Sequence, residues 1–139
     1  MESDKLYKLR LEVLEEALQT FEDSLSIDLS KFSNIEVDVI KNGQVQKFEY
    51  CTELLWKTIQ AFVNEITGED INGPKPAIKS FFKNKFISEE EYKVLFEMID
   101  SRNKLAHIYN KSQFEETHKK IFSYLPYMKN VRKIIKTQN

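Results

Sequence analysis

Ile87-Ser88-Glu89-Glu90-Glu91-Tyr92-Lys93-Val94-Leu95-Phe96-Glu97-Met98-Ile99-Asp100 holds the clearest helix start in the chain, and the fold class is read outward from it. Ser88 and Glu91 have the spacing of a capping box, in which a hydroxyl and a carboxylate satisfy the first free N–H groups of a helix. Ile87 and Tyr92 flank the box as a hydrophobic staple. Leu95 and Ile99 continue the apolar face by a step of four. The helix runs on into Arg102-Asn103-Lys104-Leu105-Ala106-His107-Ile108-Tyr109, which gathers a guanidinium, an amide, an imidazole and a phenol within a few residues.

On the C-terminal side, Ser112 and Glu115 repeat the capping box and predict a fifth helix with the stripe Ile121, Leu125, Met128, Val131 and Ile135. Pro126 should kink or split that helix, because it removes an interior hydrogen bond. On the N-terminal side, Gly73-Pro74 is a breaker that opens a short third helix, Pro76 to Phe86, through Ile78, Phe81 and Phe82. A second helix, about 44–66, buries Phe48, Cys51, Leu55, Ile59, Phe62 and Ile66. Before it, Ile35, Val37 and Val39 alternate as a strand would, and Asn42-Gly43 is a hairpin signal. The alternation does not continue, so residues 28–42 are read as a loop leading into a helix. The first helix places Leu6, Leu9, Val13, Ala17, Phe21 and Leu25 on one stripe. The expected fold is all-α: one five-helix, bundle-like domain over residues 1–139, with up-and-down helices and short connections.

Composition agrees with that reading. A chain of 139 residues with 41% hydrophobic, 12% aromatic and 31% charged side chains is globular in character and sized for one domain. Three glycines and three prolines leave little material for turns. No apolar run approaches the eighteen or so residues of a membrane span. The N-terminus, Met1-Glu2-Ser3-Asp4-Lys5, is polar and acidic, unlike a secretory signal. With Cys51 as the single cysteine, the expected compartment is a reducing cytoplasm. Charge is distributed unevenly: residues 1–23 carry three basic and seven acidic side chains, and residues 111–139 seven basic and two acidic. A basic C-terminal helix can attract phosphate backbones, or it can balance the acidic first helix.

The polar cluster after Asp100 is where chemistry is expected. Asn103 and His107 stand four apart and would share a helix face with Asp100, while Arg102 lies about 140° around from His107. Either the long arginine stem reaches the same groove, or the helix loosens before His107. Asn103 and His107 could also simply satisfy each other, since buried polar groups need partners. In the second helix, Phe48 and Trp56 read as core or interface anchors, with nucleotide stacking as the alternative. Glu49, Glu53 and Lys57 follow at steps of four, compatible with no more than an i,i+4 ion pair. His118, flanked by Glu116, Lys119 and Lys120, reads as a surface residue, and Cys51 as an inert core thiol. No metal-ligand spacing and no Gly-rich phosphate loop is present, so neither a metal, a cofactor nor autonomous nucleotidyl transfer is expected.

The Arg102-Asn103…His107-x-Tyr109 pattern resembles the motif of the HEPN superfamily, all-helical domains marked by an Arg, a polar residue and a following His. Gly43-Gln44-Val45-Gln46-Lys47-Phe48-Glu49-Tyr50-Cys51-Thr52-Glu53-Leu54-Leu55-Trp56-Lys57 looks like the second helix of one branch, the nucleotidyltransferase substrate-binding proteins. The resemblance covers residues 43–110 by specific positions and the flanks by pattern. It implies a homodimer that partners a minimal nucleotidyltransferase, and a toxin cutting RNA without metal at a site shared by two protomers. By that resemblance His107 is general acid or base, Arg102 stabilises phosphoryl charge, and Asn103 orients the phosphate or the imidazole. Tyr109 stands where the partner enzyme attaches a nucleotide to silence the toxin. Glu49, Glu53, Trp56, Lys57, Phe48 and Asp100 would then line a groove or interface near Arg102. The resemblance equally accommodates a non-catalytic subunit that binds a nucleotide and presents it to the partner, and the residues alone allow a helical oligomerisation domain.

Overall fold

In a computed structural model, residues 5–138 form five α-helices and two short 3-10 turns, with no strand among them. The helices are α1 (Leu6–Leu25), α2 (Asn34–Thr67), α3 (Pro74–Lys83), α4 (Glu89–Lys104) and α5 (Lys111–Lys136); the turns are Leu29–Lys31 and Leu105–His107. The all-α architecture is as the sequence indicates. The reading of the extreme N-terminus, with its acidic Glu2 and Asp4, lies outside the described residues.

The α4 start is as expected. Ser88 Oγ accepts the Glu91 N–H at 3.1 Å, and the Ser88 N–H donates to the Glu91 carboxylate at 2.8 Å. Ile87 is buried beside this box.

α2 departs most from expectation. It begins at Asn34 rather than near residue 44, because Ser33 and Glu36 form another capping box. The hairpin signal Asn42-Gly43 therefore lies inside a helix about 51 Å long. Its first turns stand outside the core: Ile35 is 70% exposed and Val39 64%. Ile66 is exposed too, and Val63 takes the buried position. Gly68, at φ 73°, ends α2 in the left-handed conformation that glycine adopts without strain.

α1 is rotated from the expected register. Leu6, Leu9 and Val13 are exposed, while Tyr7, Leu11, Leu14 and Leu18 join Ala17 and Phe21 in the core. Turning this way buries larger side chains and sets Tyr7 edge-on to Phe62 at 5.2 Å between ring centroids. α3 starts at Pro74 instead of Pro76, with Gly73 at φ 102° as its cap.

At α5, Asn110 replaces the expected Ser112 cap: its Oδ1 accepts the Gln113 N–H at 2.9 Å. Glu115 is thereby freed, and it pairs with Lys41 of α2 at 2.9 Å. Pro126 does not split α5, which is continuous to Lys136. The carbonyl deprived of its donor belongs to exposed Phe122, where water can serve instead.

Side chains from every helix meet in one core. Phe48 sits at its centre, stacked on Tyr124 at 5.6 Å and tilted against Phe21 at 6.4 Å. Cys51 is buried in the same layer, and burial pushes its thiol up to about 12, so it is an inert core group. The charge asymmetry resolves in part across the α1–α5 seam, where Lys129 meets Glu22 at 2.7 Å and Lys136 meets Glu15 at 3.0 Å.

His118 is not a surface residue. It is 5% exposed, lies between Phe114 and Phe122, and its Nε2 is 2.6 Å from Gln44 Oε1. Gln44 Nε2 donates to the Ser24 carbonyl at 2.7 Å, so the amide oxygen faces His118 and the imidazole proton is assigned to Nε2. Burial, then the nearby Lys41, lowers the His118 pKa, with Glu115 opposing. A histidine held neutral in the fold contributes stability that is complete above about pH 6.5 and is lost as pH falls below it, because the unfolded chain then binds the extra proton. Melting measured from pH 7.5 down to 5.5 should fall more steeply for wild type than for His118→Gln; equal slopes would refute the assignment.

Candidate functional site

The end of α4 is fixed by one buried polar contact. Ser101 occupies a core-facing position, 6% exposed, and its hydroxyl lies 2.8 Å from the Tyr124 hydroxyl of α5. With Ser101 turned toward α5, the next residue, Arg102, points toward α2. Its Nη1 is 3.9 Å from Glu49 Oε2 and its Nε 3.5 Å from Glu53 Oε1. Nε is buried but makes no hydrogen bond, so the Glu53 contact is a close charge pairing with poor alignment.

The second-helix residues cluster around this pair. Lys57 Nζ is 3.9 Å from Glu53 and 5.8 Å from the centre of the Trp56 ring. Trp56 is half-buried against the core, and its Nε1 has no hydrogen-bond partner. Phe48 is wholly internal and cannot stack on a ligand. Asp100 does not turn to Asn103 but pairs with Lys75 of α3 at 2.7 Å.

Beyond Lys104 the α-helix tightens into the Leu105–His107 3-10 turn, and neither a loosened helix nor the arginine stem brings Arg102 and His107 into one groove. Asn103 and His107 are both exposed, and neither side chain is hydrogen-bonded to another described residue. They do not satisfy each other. His107 lines a cleft of about 280 Å³ together with Ser101, Lys104, Gln113, Thr117 and Lys120. Tyr109 is 84% exposed, and its backbone N–H donates to Gln113 Oε1 at 3.0 Å. Within one chain, then, Arg102 faces α2 and His107 faces α5. No contact joins them.

The sequence reading missed Ser101, Lys104, Gln113, Thr117 and Lys120. A signal for the last three existed: steps of four and three place them on one face of α5. Ser101 follows buried Met98 by three, a polar residue on an apolar stripe. Among the described residues, no group of three His, Cys, Asp or Glu side chains is placed to hold a metal ion.

The fold and this cluster define an all-helical protein with a polar cleft where α4 meets α5. The chain belongs to the family described as nucleotidyltransferase substrate binding protein like, whose model matches residues 9–137. It is also similar to a solved structure from Thermus thermophilus, with 25% identity and a TM-score of 0.76, over 88% of this chain and 98% of that one. No curated protein matches the chain. No helix among the described residues is long and apolar enough to cross a membrane.

Proposed function

We propose that this chain is a single-domain member of the HEPN superfamily that works in the cytoplasm as the partner of a minimal nucleotidyltransferase, and that it is a toxin ribonuclease. Two copies would pair so that Arg102 of one and His107 of the other meet across the interface. The His107 imidazole removes the ribose 2′-hydroxyl proton, the 2′-oxygen attacks phosphorus, and the bond to the 5′-oxygen breaks as that oxygen takes a proton from water. Arg102 offsets the charge that builds on the phosphoryl oxygens. A nucleotide attached to Tyr109 adds bulk and negative charge beside these groups and silences them.

The observation that supports this reading is the separation of Arg102 and His107 in one chain, with His107 and Asn103 both exposed and unengaged. Such a site is incomplete alone and complete as a pair. The test is cleavage of single-stranded RNA in excess EDTA, before and after co-expression with the nucleotidyltransferase. Cutting is expected alone, and after co-expression a nucleotide-sized mass increase on the Tyr109 peptide, absent in Tyr109→Phe, with cutting lost. Absence of cleavage by an unmodified dimer would reject the ribonuclease.

A second reading rests on Arg102. Facing Glu49 and Glu53, it attracts phosphate less than a free guanidinium, which suits a subunit that binds substrate for its partner without cutting. Calorimetry showing nucleotide binding without cleavage would select it.

A further inference from the structure

We propose that the cleft beside His107 is a nucleotide subsite, holding the phosphate and sugar of the RNA residue next to the one cut. The ligand's identity rests on the ribonuclease reading above; the cleft itself does not.

The first observation is how the basic charge of α5 is divided. Its later lysines, Lys129 and Lys136, are engaged by α1 carboxylates at 2.7 and 3.0 Å. Around the cleft the balance is different. Lys104 makes no ion pair among the described residues, and Lys120 has only Glu116, one turn away at 3.8 Å. Glu115, the other acid of this segment, is drawn off by Lys41. Two ammonium groups therefore line the cleft against the one carboxylate of Glu116.

The second observation is which hydrogen-bonding groups remain available. Gln113 Oε1 is taken by the Tyr109 N–H, which leaves its amide NH2 to donate. The Thr117 hydroxyl is already donating to the Gln113 carbonyl, and Ser101 is occupied with Tyr124. What the cleft offers a ligand is mostly donors: two ammoniums and an amide. The complementary ligand is rich in acceptor oxygens and negatively charged, as a sugar–phosphate is. At about 280 Å³ the space suits one nucleotide rather than a longer stretch. His107 lines the same space, so a strand seated there passes the imidazole.

The test is binding of a fluorescent 2′-O-methyl hexanucleotide, which cannot be cut, to the full chain. The double variant Lys104→Gln/Lys120→Gln should bind at least tenfold more weakly. Its dependence of log affinity on log salt should be shallower by roughly 0.7 for each phosphate no longer neutralised. Lys93→Gln, whose lysine pairs only with Glu89 on the opposite end of α4, serves as control and should bind as wild type. Unchanged affinity in the double variant overturns the proposal, as does a wild type that binds no RNA. Equal competition by an oligoglutamate of the same charge also overturns it, leaving a general anion site. Cleavage in EDTA separates the two ideas. Lysine-dependent binding without cleavage keeps the subsite and removes the ribonuclease; cleavage with unaltered KM in the double variant does the reverse.

Discussion

His107→Ala is expected to lower RNA cleavage in EDTA by about 10²–10⁴-fold, the range for losing a positioned acid or base, while the melting temperature stays within error of wild type. The two halves of that expectation come from different facts. The His107 side chain is exposed and hydrogen-bonded to no described residue, so truncation leaves no buried group unsatisfied. Arg102→Ala should differ in its side effects. It also removes activity, but it leaves Glu49 and Glu53 facing each other without their shared cation, which alters stability modestly because all three are partly exposed. Mixing the two inactive variants provides the sharper readout. If each site draws Arg102 from one protomer and His107 from the other, mixed dimers regain one intact site and activity returns. Failure to complement, with mixed dimers shown to form, would place both residues in one chain's site, which the separation of Arg102 and His107 argues against. Loss of stability in His107→Ala would point instead to a structural role.

The parts of the fold that can be read in advance are those where local chemistry and burial agree. The Ser88–Glu91 box starts α4 in the sequence and in the structure, and the central stripes of α2 and α5 are buried as their spacing indicates, except that Tyr124 takes the core position expected of half-buried Leu125. The misread parts are those where burial gives no instruction. Residues 34–41 lie outside the core, and there Ile35, Val37 and Val39 at alternate positions imitate a strand. The Ser33–Glu36 box decides the matter locally. α1 offers two apolar stripes of similar spacing, and packing against α2 and α5, with Tyr7 edge-on to Phe62, selects the one with Tyr7. His118 sits among charged neighbours in sequence, but Gln44, seventy-four residues away, makes its burial tolerable. The site divides similarly. The closeness of Glu49 and Glu53 to Arg102 is legible through the second-helix resemblance. The directions of Arg102 and His107 stay open in the sequence, because they depend on the Leu105–His107 turn and on Ser101 meeting Tyr124, a contact between helices that no spacing encodes.

That contact ties the core to the site, and Phe48→Ala is the substitution that should expose the link. Phe48 is fully buried and touches rings from α1 and α5, so truncation removes its transfer energy and leaves a cavity that three helices cannot close easily. The expected cost is about 3–5 kcal/mol, a large part of the roughly 5–15 kcal/mol typical of a domain. The melting temperature should drop by roughly 10 °C or more. Ile35→Ala, at an exposed position, should change stability by no more than about 0.5 kcal/mol. Phe62→Ala supplies the discriminating comparison, because Phe62 is equally buried but packs on Tyr7, Phe81 and Phe86 rather than on Tyr124. Both phenylalanine variants should melt early, but only Phe48→Ala removes the ring that Tyr124 stacks upon. Without it Tyr124 can move into the cavity and release Ser101, and the α4 end that carries Arg102 and His107 loses its fixed orientation. Assayed well below both melting points, Phe48→Ala should therefore lose several-fold more RNA binding or cleavage than Phe62→Ala. Equal losses would mean that the site responds to stability alone and that the Ser101–Tyr124 contact does not set its geometry.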